Sequence, residues 1–472
     1  VVKALGGGEA TEWEWPNAMR ALGRLLGGRQ SLTKLAIQHT AARARVGYCV
    51  ASASHPTASV AKLEEINLQG TALSEPALIE LCRALMQRGA SGPVDLNLEG
   101  CIRRSAGALP ALWKLISDPN CALTALNLGY NALRNGAEIG LALVANSENG
   151  GKLIELDIGS NELGAEFVDG GICALCAPLS APAPAASAAA PATAAAPATA
   201  TPAAPEPTPT TATSTTPTPP PPLTKAIGCR VQTLDLSYTP LGLKGGQSLA
   251  NMLLTKGCNV TSLRLDGCGL GSDGVAALST ALANVARCAP LVSLRLEYNS
   301  LGPEGMKSLA AALPFRLSLN ALFIGCNGLG EEGARHLAGA ASTCANLKTL
   351  DVGDNDLSES ALRMLLEGVR SQYALTALDV SNNRLGDGGA EALAQEVRTN
   401  PSLLFVRAAG NGIGRVGGAA LAAAVSASSV MLDLQHNYSV EYDDQMAIKL
   451  SNNRRMRTAP PSPLDGWGKR EE

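Results

Sequence analysis

Catalysis requires nucleophiles, bases or metal ligands held within reach of one another, and this 472-residue chain keeps its candidates apart. The four histidines, His39, His55, His336 and His436, fall in different segments, and none is accompanied by a placed nucleophile and carboxylate. Cys173 and Cys176 make one C-x-x-C, but no second pair or nearby histidine completes a zinc site, so they read as two small helix residues. No G-x-x-x-x-G-K-[ST] phosphate loop occurs. The expectation is no catalytic residue, no cofactor, no metal and no enzyme activity. What remains is recognition chemistry. Asp235, Arg264, Arg295, Glu297, Phe323, Asp351, Asp379, Phe405 and Arg407 recur at matching points of a repeated pattern. Arginines and aromatic residues dominate interface hot spots, each often contributing more than about 2 kcal/mol when truncated.

The elements that position them are legible as repeats. Stretches beginning at Leu291, Leu319 and Leu375 share L-x-x-L-x-L-x-x-N-x-L-G-x-x-G-x-x-x-L-x-x-x-L, and Asn299, Asn327, Asn355, Asn383 and Asn411 recur with a period of 28. Aligning every segment on that position adds Thr40, Thr71, Cys101, Asn131, Asn161, Thr239, Cys268 and Asn437, for thirteen repeats. Five and three residues before it the chain is apolar, with polar residues between, which is the period-two pattern of a short strand with one buried face. Leu294 and Leu296 are expected inside, while Ser293, Arg295 and Glu297 face out. L-G-x-x-G then opens a helix with Leu309, Ala312 and Leu313 on one side. A side-chain amide at the repeat position can donate and accept for backbone groups left by the sharp turn after the strand; Thr or Cys does part of that task.

This strand-and-helix repeat, with its N/C/T position and L-G-x-x-G-A, resembles the ribonuclease-inhibitor class of leucine-rich repeats. That class also occurs in nucleotide-binding leucine-rich-repeat receptors and Ran GTPase-activating proteins. The resemblance spans about residues 31 to 440 outside one insert. It implies an α/β solenoid, a horseshoe with a concave parallel β-sheet and convex helices. Residues 41 to 62 lack L-G-x-x-G and Pro93 replaces a first leucine, so the early turns are expected to be irregular.

Domain boundaries follow. Residues 1–30 contain Trp13, Trp15 and a helical run from Pro16, and read as an N-terminal cap or partial repeat. Repeats one to five occupy 31–177, and repeats six to thirteen occupy 223–440 in continuous phase with them. Between them, 178–222 is almost wholly Ala, Pro, Thr and Ser, with Glu206 its only charge, and reads as a disordered insert in one repeat. Its PTPPPP run (217–222) is a neutral spacer or, alternatively, a ligand for an SH3-type or profilin-type module. Residues 441–472, with Arg454, Arg455 and Arg457, read as a polar tail.

A net charge of -3 gives no electrostatic case for nucleic acid or membrane partners, and no stretch reaches the roughly 18 apolar residues of a membrane span. The twelve cysteines are spread through the chain and no targeting peptide is visible in it, so a cytoplasmic protein with reduced thiols is expected.

The residue four before each repeat position is expected to point into the concave face: Ala36, then Asn67, Asn97, Asn127, Asp157, Asp235, Arg264, Arg295, Phe323, Asp351, Asp379, Arg407 and Asp433. Asp266, Glu297 and Phe405 flank this row, and Tyr130, Tyr238 and Tyr298 end strands. Two readings stand side by side. Arg264, Arg295 and Phe323, framed by Asp235 and Asp351, form the centre of a protein-binding patch; or the arginines pair with Asp235, Asp266 and Glu297 across neighbouring strands. The leading functional expectation is a scaffold or regulatory module that binds a protein in its concave face. The resemblance also implies two alternatives, a GTPase-activating protein for a Ran-like GTPase or the sensor region of a nucleotide-binding leucine-rich-repeat receptor.

Overall fold

The computed structural model describes residues 34–36, 63–163 and 230–437, apart from 89–91, 104, 135, 256, 285, 287, 317 and 371–373. The expected cap, the Cys173/Cys176 pair, the proline-rich insert and the tail lie outside these residues.

Strands form where a leucine is flanked by residues that tolerate one wet face, and they are short because the next turn comes at once. Among the described residues they are β1 (Lys34–Ala36), β2 (Glu65–Asn67), β3 (Val94–Asn97), β4 (Leu123–Asn127), β5 (Glu155–Asp157), β6 (Thr233–Asp235) and β7 (Ser262–Arg264). They continue with β8 (Ser293–Arg295), β9 (Ala321–Phe323), β10 (Thr349–Asp351), β11 (Ala377–Asp379), β12 (Phe405–Arg407) and β13 (Met431–Asp433). All thirteen join one parallel sheet in chain order. The central residues of neighbouring strands are register partners, as in Leu263↔Leu294↔Leu322↔Leu350↔Leu378, and this leucine column is fully buried. Burying each such side chain contributes about 1.5 to 3 kcal/mol.

β5 and β6 pair through Glu155↔Thr233, Leu156↔Leu234 and Asp157↔Asp235, although a long stretch of chain separates them. The early irregularity is local: the β3–β4 register shifts between Val94 and Asp95, beside Pro93, which has no N–H to give a ladder.

Among the described residues ten α-helices pack behind the sheet: α1 (Glu75–Arg88), α2 (Leu109–Ser117), α3 (Gly136–Glu148), α4 (Gly242–Leu254), α5 (Gly271–Leu282), α6 (Gly302–Ala312), α7 (Gly330–Ala341), α8 (Glu359–Arg370), α9 (Gly386–Thr399) and α10 (Arg415–Ser426). Two features explain L-G-x-x-G. The first glycine begins the helix from a left-handed backbone, φ +59° at Gly302. Close helix contact also uses missing side chains, since a Cβ at Gly246 would lie 2.8 Å from the Gly274 Cα. Helices about 10 Å across stacked behind strands about 4.8 Å apart make the array curve with the sheet on its inner side. Among the described residues no helix is long and apolar enough to cross a membrane.

The turn after each strand would bury unpaired backbone groups, and the asparagines satisfy them. Asn327 Nδ2 donates to the carbonyls of Leu296, Ile324 and Gly325, each at 2.9 Å. Its Oδ1 accepts from the Asn299 N–H at 3.0 Å and the Leu301 N–H at 3.3 Å. The same step repeats from Asn327 to Asn355, Asn383, Asn411 and Asn437, with backbone N–H to Oδ1 distances of 2.8 to 3.0 Å. Cys101 and Cys268 supply only the donor half, from Sγ to the carbonyls of Leu68 and Leu236. At Thr239 the buried hydroxyl has no hydrogen-bond partner.

Three stability outcomes follow from this packing. Asn327→Ala removes bonds to five buried backbone groups and is expected to lower unfolding free energy by about 3 kcal/mol or more in urea titrations. Thr239→Asn supplies the missing amide and is expected to raise it by about 1 kcal/mol. Removing residues 180–220 is expected to leave the thermal melt nearly unchanged, because β5 and β6 pair directly and loop length enters closure entropy only logarithmically.

Candidate protein-binding surface

The last residues of successive strands are register partners, so Asp235, Arg264, Arg295, Phe323, Asp351, Asp379, Arg407 and Asp433 stand in one row across the inner wall. The row ends each strand; it does not mark the strand's middle.

Across all thirteen strand ends, from Ala36 to Asp433, eight residues share a local duty. Each Asn or Asp accepts, through Oδ1, the backbone N–H two residues later: Asn67, Asn97, Asn127, Asp157, Asp235, Asp351, Asp379 and Asp433 all do so, at 2.7 to 3.1 Å. This is the Asx turn, in which a short polar side chain imitates a backbone carbonyl. The Asn run and most of the acids are therefore explained by the turn. Arg264, Arg295, Phe323 and Arg407 break the rule. At β8 the lost cap is replaced from the turn after the preceding strand, β7, because Asp266 Oδ1 accepts the Glu297 N–H at 2.9 Å.

Ion pairs tie the exceptions down. Arg264 Nη1 lies 3.4 Å from Asp235 Oδ2, with the arginine side chain 47% exposed. Arg295 sits deeper, 16% exposed, with Nε 2.9 Å from Asp266 Oδ2 and Nη2 2.6 Å from Glu297 Oε2. Its guanidinium carbon lies 4.8 Å from the centre of the Phe323 ring, a cation–π contact. Arg407 spans Asp379 at 3.7 Å and Asp433 at 3.6 Å.

Five residues expected to face a partner are instead covered. Phe323 is 6% exposed beneath Arg295, and Phe405 packs on Ala377 beside Leu404 and Met431. Glu297, Asp351 and Asp379 are also buried. Long side chains from adjacent strands about 4.8 Å apart lie down on one another and close over shorter neighbours. The accessible part of the expected site is Arg264 and Arg407 with Asp235 half-buried beside them. Asp433 joins them as the second counter-charge of Arg407. The displaced cap at Asp266 and this second counter-charge were hidden in sequence; the visible signal was an acid two residues before a repeat position, just ahead of a row member that is not Asn or Asp. His336 is half-buried on α7, away from the wall.

The wall carries more acids than bases, and its carboxyls respond. Burial, with Asp235 alongside, pushes Asp157 up to about 7. Burial lifts Asp266 to about 6 against the opposing pull of Arg295. Burial, the neighbouring Glu297 carboxyl and the Asp379 charge hold Asp351 well above the usual carboxylate range. Burial raises Asp379 as well. For Arg295, burial opposes the charge, but Asp266 and Glu297 outweigh it and leave the guanidinium above its ordinary value.

A carboxyl with a raised folded-state pKa holds its proton more tightly when folded, so its contribution favours folding at low pH and is lost as pH rises through that value. For Asp157 the window runs from its ordinary 3.8 to about 7. The urea midpoint is expected to fall between pH 5 and pH 7.5. Asp157→Asn is expected to flatten that slope while keeping the turn, since Asn127 already makes the equivalent bond to Gly129 at 2.8 Å.

The sequence profile described as Leucine Rich repeat matches this chain at residues 231–250, 258–279, 287–310, 343–366 and 375–394. No curated protein matches it in sequence. Among solved structures it is similar to an internalin from Listeria monocytogenes, at 15% identity and TM-score 0.42, covering 88% of this chain and 94% of that one. It is similar to the Rad7 and Elc1 complex in yeast at 16% identity and TM-score 0.47, covering 77% and 73%. A third likeness is the leucine-rich repeat-containing protein LegL7 from Legionella pneumophila, at 18% identity and TM-score 0.33, covering 49% and 83%. With five profile matches falling on the strand, turn and helix pattern that builds one parallel thirteen-stranded sheet, the chain is a leucine-rich repeat protein.

Proposed function

We propose that this leucine-rich repeat protein is a non-enzymatic interaction scaffold that holds a partner protein against the inner wall of its sheet. Arg264 and Arg407 are its accessible cationic contacts, Asp235 and Asp433 its anionic ones, and the Arg295–Phe323 pair forms the floor between them. The observation that carries this reading is the break in the Asx rule. Eight of the thirteen strand ends use the residue the turn prefers, whereas Arg264 and Arg407 stand in its place and stay accessible. A residue that costs a local hydrogen bond and stays on the surface needs another use, and partner contact supplies one. The 28-residue strand-turn-helix repeat supports membership in the ribonuclease-inhibitor-like class. Eight free cysteines among the described residues, five of them buried, support residence in a reducing compartment such as the cytoplasm.

The test is a comparison of partner sets. Proximity labelling in cells with the parent and with Arg264→Glu plus Arg407→Glu is expected to show a discrete group of proteins lost from the variant. Its thermal melt should stay close to the parent's, because exposed ion pairs contribute only about 0 to 1 kcal/mol each. An unchanged set of labelled proteins at normal stability would overturn the concave-wall reading.

A further inference from the structure

Four Asn-Gly pairs occur in this chain: Asn135–Gly136, Asn149–Gly150, Asn327–Gly328 and Asn411–Gly412. The pair has a chemistry of its own. Glycine lacks the Cβ that shields a backbone nitrogen, and that nitrogen can attack the side-chain amide before it and close a five-membered ring. Asparagine counts among the thermolabile residues for this kind of reason. Asn135 lies outside the described residues, and the fold sorts the other three.

Asn327 and Asn411 are ladder residues, and both are buried. Asn327 Nδ2 donates to three carbonyls and Asn411 Nδ2 to those of Val380 and Ala409, while each Oδ1 accepts from the preceding ladder residue's N–H. Turning either amide toward its own glycine would break the stack. Asn149 is placed differently. It follows the last residue of α3 and is exposed. Gly150 takes the left-handed backbone at φ +75°, and the Gly151 N–H closes the helix end on the Asn146 carbonyl at 2.7 Å. A Cβ at Gly150 would meet nothing within 4 Å, and the Gly150 N–H has no hydrogen-bond partner among the described residues. One bond restrains the Asn149 side chain, from Nδ2 to the Ser117 carbonyl at the end of α2, 2.8 Å away. Such a helix end opens locally without unfolding its neighbours. Asn146 performs the same service for the Ile116 carbonyl at 2.7 Å, but it is buried and followed by serine.

We propose that Asn149 is a site of spontaneous deamidation to aspartate and isoaspartate, with water the only co-reactant. The Gly150 nitrogen gives its proton to solvent and bonds to Asn149 Cγ; the Cγ–Nδ2 bond breaks and that nitrogen leaves as ammonia. Water then opens the ring at either carbonyl, giving aspartate or, where the chain continues through the side-chain carbonyl, isoaspartate. Both products put a carboxylate where an amide donor stood. The Ser117 carbonyl loses its partner, and a negative charge appears at the C-terminal ends of α2 and α3, where the helix dipoles are already negative. Isoaspartate also adds a carbon to the backbone ahead of Gly150 and so displaces the turn that closes α3. Elapsed time is thereby recorded as a charge and a loosened corner between the third and fourth repeats.

Neither Arg264 nor Arg407 takes part, so the inference is independent of the concave-wall reading. Warm incubation of the full chain at mildly alkaline pH, followed by peptide mass spectrometry, is expected to show a gain of one dalton at Asn149 at least tenfold faster than at Asn327 or Asn411. The same incubation in urea should bring the three rates within threefold, because each asparagine then precedes glycine in an open chain. Gly150→Ala should slow conversion at Asn149 at least fivefold, and Asn149→Asp should melt about 2 °C below the parent. Conversion of folded Asn149 no faster than of Asn327 and Asn411, or undiminished in Gly150→Ala, would overturn the proposal. An Asn149→Asp melt equal to the parent's would overturn the loosened corner.

Discussion

The asparagine ladder is the interaction on which the molecule depends. A strand of three residues cannot bury its flanking turn without leaving N–H and C=O groups unpaired, and each such group inside a stack is expensive. Asparagine meets the demand because one short side chain donates twice and accepts twice. Asn327 uses that capacity fully, reaching both the previous repeat and its own turn. The bond from one backbone N–H to the next Oδ1 also ties each asparagine-bearing repeat to its neighbour and helps the thirteen strands hold register. Where the residue is Cys or Thr the donor survives or fails, but the acceptor function at that step is weakened.

Once the ladder sets the turn, the residue ending each strand has its own preferred solution, a carboxylate or amide that accepts the N–H two positions on. Repeating that solution across a sheet places acids side by side, and the three arginines of the wall cannot neutralise all of them. The excess is absorbed in two ways. Asp235 and Asp433 keep contact with water and face an arginine, whereas burial raises the carboxyls of Asp157, Asp351 and Asp379 above their ordinary range. The Arg295 cluster is the third arrangement: two carboxylates grip one guanidinium above an aromatic ring, which fixes all four side chains and makes that part of the wall rigid.

Repeat number, strand position and the buried leucine columns were legible because each rests on local pattern: the 28-residue period, alternation about Leu294 and Leu296, and glycines before helices. The identity of the surface residues was equally legible, but their state was not. Ser293, Arg295 and Glu297 alternate correctly with the buried leucines, yet Glu297 is covered. Alternation tells which side of a strand a residue leaves from, and it says nothing of what lies across it from the next strand. Phe323 disappears under Arg295 for that reason, and Phe405 onto Ala377. The Asx turns show the reverse failure. The Asn and Asp run looked like a binding pattern because a repeated structural duty and a repeated recognition element have the same periodicity in one sequence.

What separates duty from recognition is departure from the choice that repeat physics favours. On the wall, the favoured residue is Asn or Asp, so Arg264, Arg295, Phe323 and Arg407 carry information that Asn127 does not. The same reasoning sets aside the convex helices, where exposed Leu141, Leu243 and Val416 occupy positions at which no backbone rule is broken and isolated apolar residues are ordinary. Recognition in this solenoid is therefore sought on its inner wall, where the turn favours one residue type and the chain supplies a different one.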